Sequence, residues 1–291
     1  MSEATSGRLD VRKTYKLFIG GAFPRSESGR SYPVHGKNGD LLAYAAKASR
    51  KDLRDSVKAA RGAFGGWSGA TAYNRGQVLY RVAEMMEGRA AQFAAEVAEA
   101  EGLRPARASA LVSAAIDRWV WYAGWSDKVA QVAGGANPVA GPYFNFSVPE
   151  PTGVVATVAP QDSSLLGLVS VLAPVILTGN TAVVIASELR PLPSVVLAEV
   201  LATSDIPAGV VNILTGSTAE LAPIAAGHMD VNAVDLTGAP AADRAALERA
   251  AAGNLKRVLA NHDGEQWTDP PTTRRLMATL EIKTVWHPAG I

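Results

Sequence analysis

With 291 residues, 48% hydrophobic and 19% charged, the chain has a globular composition and enough length for one large domain or two ordinary ones. Its 28 basic and 27 acidic residues leave no field that would favour nucleic acid or an anionic membrane. The lack of cysteine excludes disulfides, thiolate metal sites and a cysteine nucleophile, and His35, His228, His262 and His287 show no metal-ligand spacing.

Residues 1–14 read as a flexible tail without the apolar core of a signal peptide. The greasiest run, 164–179, is short for a membrane span and carries Ser, Pro and Gly, so a soluble cytoplasmic protein is expected. Residues 16–48 alternate in polarity and turn often, which predicts short antiparallel strands. Residues 52–65 predict an amphipathic helix with Leu53, Val57, Ala60 and Phe64 on one face. Further helices are predicted over 74–86, over 90–101 up to Gly102, and over 106–132. The last carries Trp119, Trp121, Tyr122 and Trp125, a cluster better suited to core or subunit packing than to a ligand platform. Phe144, Phe146 and Val148 then alternate with polar neighbours, as in a half-buried antiparallel strand.

Residues 150–216 organise the rest. Three short β-branched apolar runs, 154–158, 181–185 and 210–214, suit strands covered on both faces. Helical spacing over 164–177 and 192–201 lies between them, which predicts an α/β, doubly wound parallel sheet. Ser163 and Ser164 have no nucleophile elbow around them, and no acid–base pair is read from Asp162, Asp205 and Asp235.

The segments PEPTGVV, APVILTGNTAVV, ASE and IPAGVVNILTG, followed by VDLTG and the tail EIKTVWHPAG, resemble the aldehyde dehydrogenase superfamily over nearly the whole chain. The resemblance implies a Rossmann-like cofactor-type domain from 15–142 and 151–262. It also implies an oligomerisation arm from 143–150 and 279–287. Residues 263–278 would then be a connecting loop in place of the catalytic domain, similar to the truncated second module of family 16 aldehyde dehydrogenases. Members oxidise an aldehyde through a Cys thiohemiacetal and pass hydride to NAD(P); this chain has no Cys.

Other matched positions depart as well. Gln161-Asp162 stands where the family has Trp-Asn, and a carboxylate opposes an oxyanion by about 4 kcal/mol at ~4 Å and an effective dielectric of ~20. Asn261 stands at the general-base Glu, and Ile185 at the Lys that holds the ribose, with Ser187 and Glu188 retained. In the glycine turn at the pyrophosphate, Thr237 and Gly238 are retained but the second Gly is Asp243, a negative charge beside a diphosphate. Plainer readings make Glu188 a surface loop carboxylate and Thr237-Gly238 a strand end.

The expectation is a catalytically inactive subunit that binds no cofactor, or NAD(P) only weakly, and no metal. Its interface residues would be Phe144, Phe146, Val148, Ile282, Val285 and Trp286. They would join it to a full-length aldehyde dehydrogenase in a hetero-oligomer, with a homodimer as the lesser option and no nucleic acid or membrane partner. Two alternatives stand beside this. One is a regulatory module that binds NAD(P) or ATP. The other is an oxidoreductase whose missing residues come from a partner.

Overall fold

The N-terminal strands β1 (Thr14–Tyr15), β2 (Ser31–His35) and β3 (Leu41–Ala46) form a small sheet in the order β1-β3-β2. Only β2 runs antiparallel to β3; β1 runs parallel to it. The computed structural model describes residues 11–259 and 265–290. The tail expected through residue 14 is already tied down at Lys13, which ion-pairs with Glu199 at 3.0 Å, and at Thr14, which pairs with Tyr44.

Four helices follow: α1 (Arg50–Gly69), α2 (Ala72–Glu87), α3 (Ala90–Glu101) and α4 (Pro105–Ala123). A capping box starts α1, where the Ser49 side chain accepts from Lys51 and Asp52 N–H while Asp52 accepts from Ser49 N–H. Gly102, with φ of 64°, ends α3 in the left-handed region. The helix expected over 106–132 is divided, because the chain turns after Ala123 and resumes as α5 (Val129–Ala133). The turn presses onto α2 so closely that a Cβ on Gly76 would lie 2.4 Å from Ser126 Oγ. Trp119 and Tyr122 are buried, and Trp121 meets Tyr122 edge-on at 5.0 Å, so the aromatic cluster is core.

Strands β4 (Gly135–Asn137) and β5 (Tyr143–Pro151) lead into β6 (Val154–Val158), α6 (Leu166–Leu177), β7 (Thr181–Ile185), α7 (Leu192–Leu201) and β8 (Val211–Leu214). Then come α8 (Thr218–Gly227), β9 (Ala233–Asp235), α9 (Ala241–Ala252) and β10 (Arg257–Leu259). The parallel sheet has the order β10-β9-β6-β7-β8. Every residue of β6, β7, β8 and β9 is buried, as strands covered on both faces must be. One face packs under α6 and α7, with α2, α3 and α4 outside them; α1, α8 and α9 lie on the other.

After β10 the chain reaches α10 (Arg274–Ala278), so the region expected to be loop contains a helical turn. It ends in β11 (Leu280–Pro288), antiparallel to β5 along its whole length. Strand β4, within the stretch assigned to the cofactor-type domain, is the third strand of this sheet, ordered β11-β5-β4.

Candidate functional site

The strand order reverses between β6 and β9, and in an open α/β sheet the ligand crevice lies at the carboxyl ends of such strands. Here that crevice has a volume of about 310 Å³. Pro160, Gln161 and Asp162 bound it on the β6 side, and Thr237, Gly238 and Ala239 on the β9 side. The two strand ends approach so closely that a Cβ on Gly238 would sit 1.8 Å from the Ala159 carbonyl oxygen. Gly238 also donates its N–H to Val158 O at 2.9 Å. Glycine is therefore required by the backbone itself, with or without a ligand.

Gln161 spans the mouth, donating from Nε2 to Ala159 O at 2.8 Å and accepting at Oε1 from Glu188 N–H at 3.0 Å. Asp162 is exposed, and its carbonyl accepts from Arg190 Nη1 at 2.7 Å. Ser187 is buried between Gln161 O and Arg190 N–H. Glu188 is neither a free surface group nor aimed at a ligand: Oε2 accepts from Thr218 N–H at 2.9 Å and caps the start of α8. Ile185 is fully buried at the end of β7, inside the core shared with α1 and α8. Asp243, in the first turn of α9, lines a separate apolar recess of about 160 Å³ with Ala219, Ala222, Pro223, Pro240 and Leu247. Asn261 lies outside the described residues.

The remaining wall of the crevice is Glu265, Gln266 and Trp267, from the segment that joins β10 to β11. Two buried arginines hold this segment down. Arg275 donates from Nη1 to Asp235 Oδ2 at 2.8 Å and from Nη2 to Glu265 Oε2 at 2.7 Å and Thr237 Oγ1 at 3.2 Å. Burial works against its charge, but Asp235 and Glu265 outweigh burial and raise its pKa above the ordinary Arg value. Arg118, on α4, donates to Ser170 Oγ at 2.9 Å and to the carbonyls of Trp267 and Asp269, both at 2.8 Å. Thr237 is thus engaged by its own chain, donating N–H and Oγ to Asp235 and accepting from Arg275. Sequence reasoning missed Arg118, Glu265 and Arg275, and dismissed Asp235. The available signal was a charge inside an apolar run, in IDRWVWY and in NAVDL.

The arm is more open than the crevice. Strand register places Phe144, Phe146, Val148 and Val285 on one face and Tyr143, Ile282 and Trp286 on the other, so the six expected interface residues are split between two faces. Phe144, Val148, Ile282 and Trp286 are exposed, whereas Phe146 and Val285 are half-buried. The Phe144 and Phe146 rings lie 5.4 Å apart and those of Tyr143 and Trp286 5.7 Å apart. Asn180 ties the arm to the domain, donating to Thr279 O and accepting from Gly153 N–H.

Comparison with known proteins agrees with this architecture. The chain is 31% identical to retinal dehydrogenase 2 of Homo sapiens over 263 residues, 88% of this chain and 50% of that protein. It is 32% identical to an aldehyde dehydrogenase of Aspergillus niger over 251 residues, 86% of this chain and 50% of that one. The NAD+ complex of an aldehyde dehydrogenase from Bacillus cereus superposes with a TM-score of 0.81 at 28% identity, covering 85% of this chain and 50% of that one. The chain thus spans about half the length of these relatives. With the aldehyde dehydrogenase family model matching residues 25–268, from the N-terminal sheet to the segment that straps β10 to β11 (the strap), the chain belongs to the aldehyde dehydrogenase family.

Proposed function

We propose that this chain is a catalytically inactive aldehyde dehydrogenase-like subunit that docks through its arm onto a full-length aldehyde dehydrogenase. The catalytic domain of the fold is absent, since β10 and β11 are joined by residues 260–279 alone. The observation that carries the reading is a contrast between two surfaces. A chain segment held by buried arginines walls the crevice and leaves about 310 Å³ of it, while the arm keeps large apolar side chains and an unpaired strand edge in solvent. An isolated three-stranded sheet exposed on both faces is a poor end state for a folded chain, and adding it to another sheet edge resolves the exposure.

The residues present fit a dinucleotide badly. Ile185 offers no donor to a ribose, and Glu188 is committed to α8. Asp243 sets a negative charge at the start of α9, and the strap walls the crevice. The test is light scattering of the chain mixed with a full-length aldehyde dehydrogenase, alongside NAD-dependent aldehyde oxidation by the chain alone. A stoichiometric mixed complex and no intrinsic turnover are expected. Turnover by the pure chain, or two separate peaks at all ratios, would overturn the proposal.

The apolar recess between α8 and α9 favours a second reading, a module that takes the flat base of NAD or ATP. Calorimetric titration with each nucleotide decides it. Micromolar binding that strengthens on Asp243→Asn supports the module, and silence in both titrations removes it.

A further inference from the structure

The free edge of β11 has a chemistry of its own. Two bonds outside the ladder fix which residues face that edge: Ala289 N–H donates to Pro142 O at 2.8 Å, and Thr152 N–H donates to Thr279 O at 3.2 Å. Hydrogen-bonded and non-hydrogen-bonded pairs alternate along an antiparallel ladder. With the observed register, Glu281, Lys283, Val285 and His287 direct their main-chain groups to β5. Ile282, Thr284 and Trp286 direct theirs outward. The prolines agree: Pro149 and Pro288 both fall in non-hydrogen-bonded pairs, where no N–H is required.

We propose that two copies of this chain pair β11 to β11, antiparallel, about a two-fold axis at Thr284. The proposal rests on the reading of the arm as the docking element, and it adds how that element is regulated. Around this axis the outward main-chain groups match. Thr284 exchanges both bonds with the partner's Thr284, and Ile282 with the partner's Trp286 on either side. The side chains match too. Ile282 and Trp286, 52% and 59% exposed, cover one another across the axis. Glu281 meets the partner's His287, and Lys283, held at 3.0 Å by its own Glu150, lies opposite the partner's Val285. Moving the axis to Lys283 would leave the outward main-chain groups able to pair, but would oppose two ammonium groups and set Ile282 against Thr284 in place of Trp286. Moving it to Ile282 would leave Trp286 uncovered. Only the Thr284 axis sets Ile282 opposite the partner's Trp286, and that match selects the register. The proposal places docking to a full-length enzyme on this same β11 edge, so self-pairing withholds it, and mixed assembly has to wait for the homodimer to open.

The chain's lack of cysteine makes the test clean. In Thr284→Cys the two Cα atoms would lie ~5.5 Å apart, inside the disulfide range of roughly 4.4–6.8 Å. A covalent dimer should form under mild oxidation. It should form at least about tenfold faster than from Lys283→Cys, whose symmetry mates are offset by two residues. In Thr284→Pro the lost N–H faces the open edge, so β5 pairing and thermal stability should hold. Its dimer dissociation constant, read by analytical ultracentrifugation, should rise at least about tenfold as the central bonds vanish. A wild-type chain that stays monomeric, equal cross-linking of the two cysteine variants, or an unweakened Thr284→Pro dimer would overturn the inference. Adding a full-length aldehyde dehydrogenase separates the two readings. A cross-linkable homodimer with no mixed complex refutes the docking function alone, and a mixed complex without a homodimer refutes the self-pairing alone.

Discussion

Replacing Arg275 by Met keeps most of the side-chain volume and removes the cation that sits between Asp235 and Glu265. The Asp235 side chain is 2% exposed and that of Arg275 10%, so the remaining carboxylate would have almost no water to turn to. With charge centres ~4 Å apart at an effective dielectric of ~20, each pairing is worth about 4 kcal/mol before desolvation. Removing one partner of a buried pair usually costs about 3–5 kcal/mol. Asp235 keeps the N–H and hydroxyl of Thr237, and Glu265 is 28% exposed, so the low end applies here. A loss of about 3 kcal/mol is expected, and at roughly 2–4 °C per kcal/mol a fall in melting temperature of about 6–12 °C. Urea unfolding followed by circular dichroism gives the first figure and differential scanning calorimetry the second. Release of the strap should also red-shift Trp267 emission, which is separable by comparison with Trp267→Phe. Removing the orphaned charge as well, in Asp235→Asn with Arg275→Met, keeps an acceptor oxygen for Thr237 and should recover at least about 1 kcal/mol of the loss, because the penalty lies in the stranded carboxylate. An Arg275→Met chain within 1 kcal/mol of wild type, or a double variant no better than the single one, would refute the reasoning.

Three other outcomes are expected. Gly238→Ala forces apart the ends of β6 and β9, since its Cβ would meet Ala159 O at 1.8 Å, and should cost about 3 kcal/mol in urea unfolding; a neutral substitution would show that the close approach can relax. Glu188→Ala removes the cap on Thr218 N–H and should cost about 1 kcal/mol by thermal melting, with no change expected if that bond is incidental. For Glu199, burial raises the carboxyl pKa, but hydrogen bonds from Arg89 and Lys13 outweigh it and leave it below the ordinary value of 4.5. A depressed folded pKa gives stability that is present above that value and lost as pH falls through the folded one. Glu199→Gln should therefore flatten the acid limb of the stability profile below about pH 4.5, and an unchanged limb would assign the loss to other groups.

The sheet was legible because a strand covered on both faces needs a short, continuous β-branched run, and VVATV and TAVVI supply it at the observed bounds. The β11 strand, exposed on both faces, was legible only through the family resemblance, which placed a strand at EIKTVW with Pro288 marking its end. The break after Ala123 was not, because the apolar pattern runs on through Trp125 and the decision lies in packing against Gly76, far away in the chain. The strap was hidden more deeply. Arg118 meets the Trp267 carbonyl 149 residues later, and Asp235 meets Arg275 across 40, so neither charge has a partner that local pattern could supply. Glu188 shows the opposite failure. Its motif was visible, but its use depends on Thr218, which reaches it only through the sheet.

How the chain treats two of its surfaces bears on the proposed use of the arm. A cofactor-type domain without its catalytic partner exposes the surface around the carboxyl ends of β6 and β9. The strap covers part of that surface: Leu276 enters the core fully buried, Trp267 packs against it, and the two arginines satisfy the strap carbonyls and a buried aspartate. The arrangement is specific, since each guanidinium needs its acceptors at hydrogen-bond distance and a mismatched one would destabilise the fold. The arm could be blunted more simply, by lysines or prolines on β11 beyond Lys283 and Pro288 or by polar substitutions of Phe144, Ile282 and Trp286. Each would have reduced the exposure of apolar edge that invites aggregation. A chain that covers part of the harder surface with buried arginines and leaves the easier one apolar supports the proposal that the arm is covered by a partner.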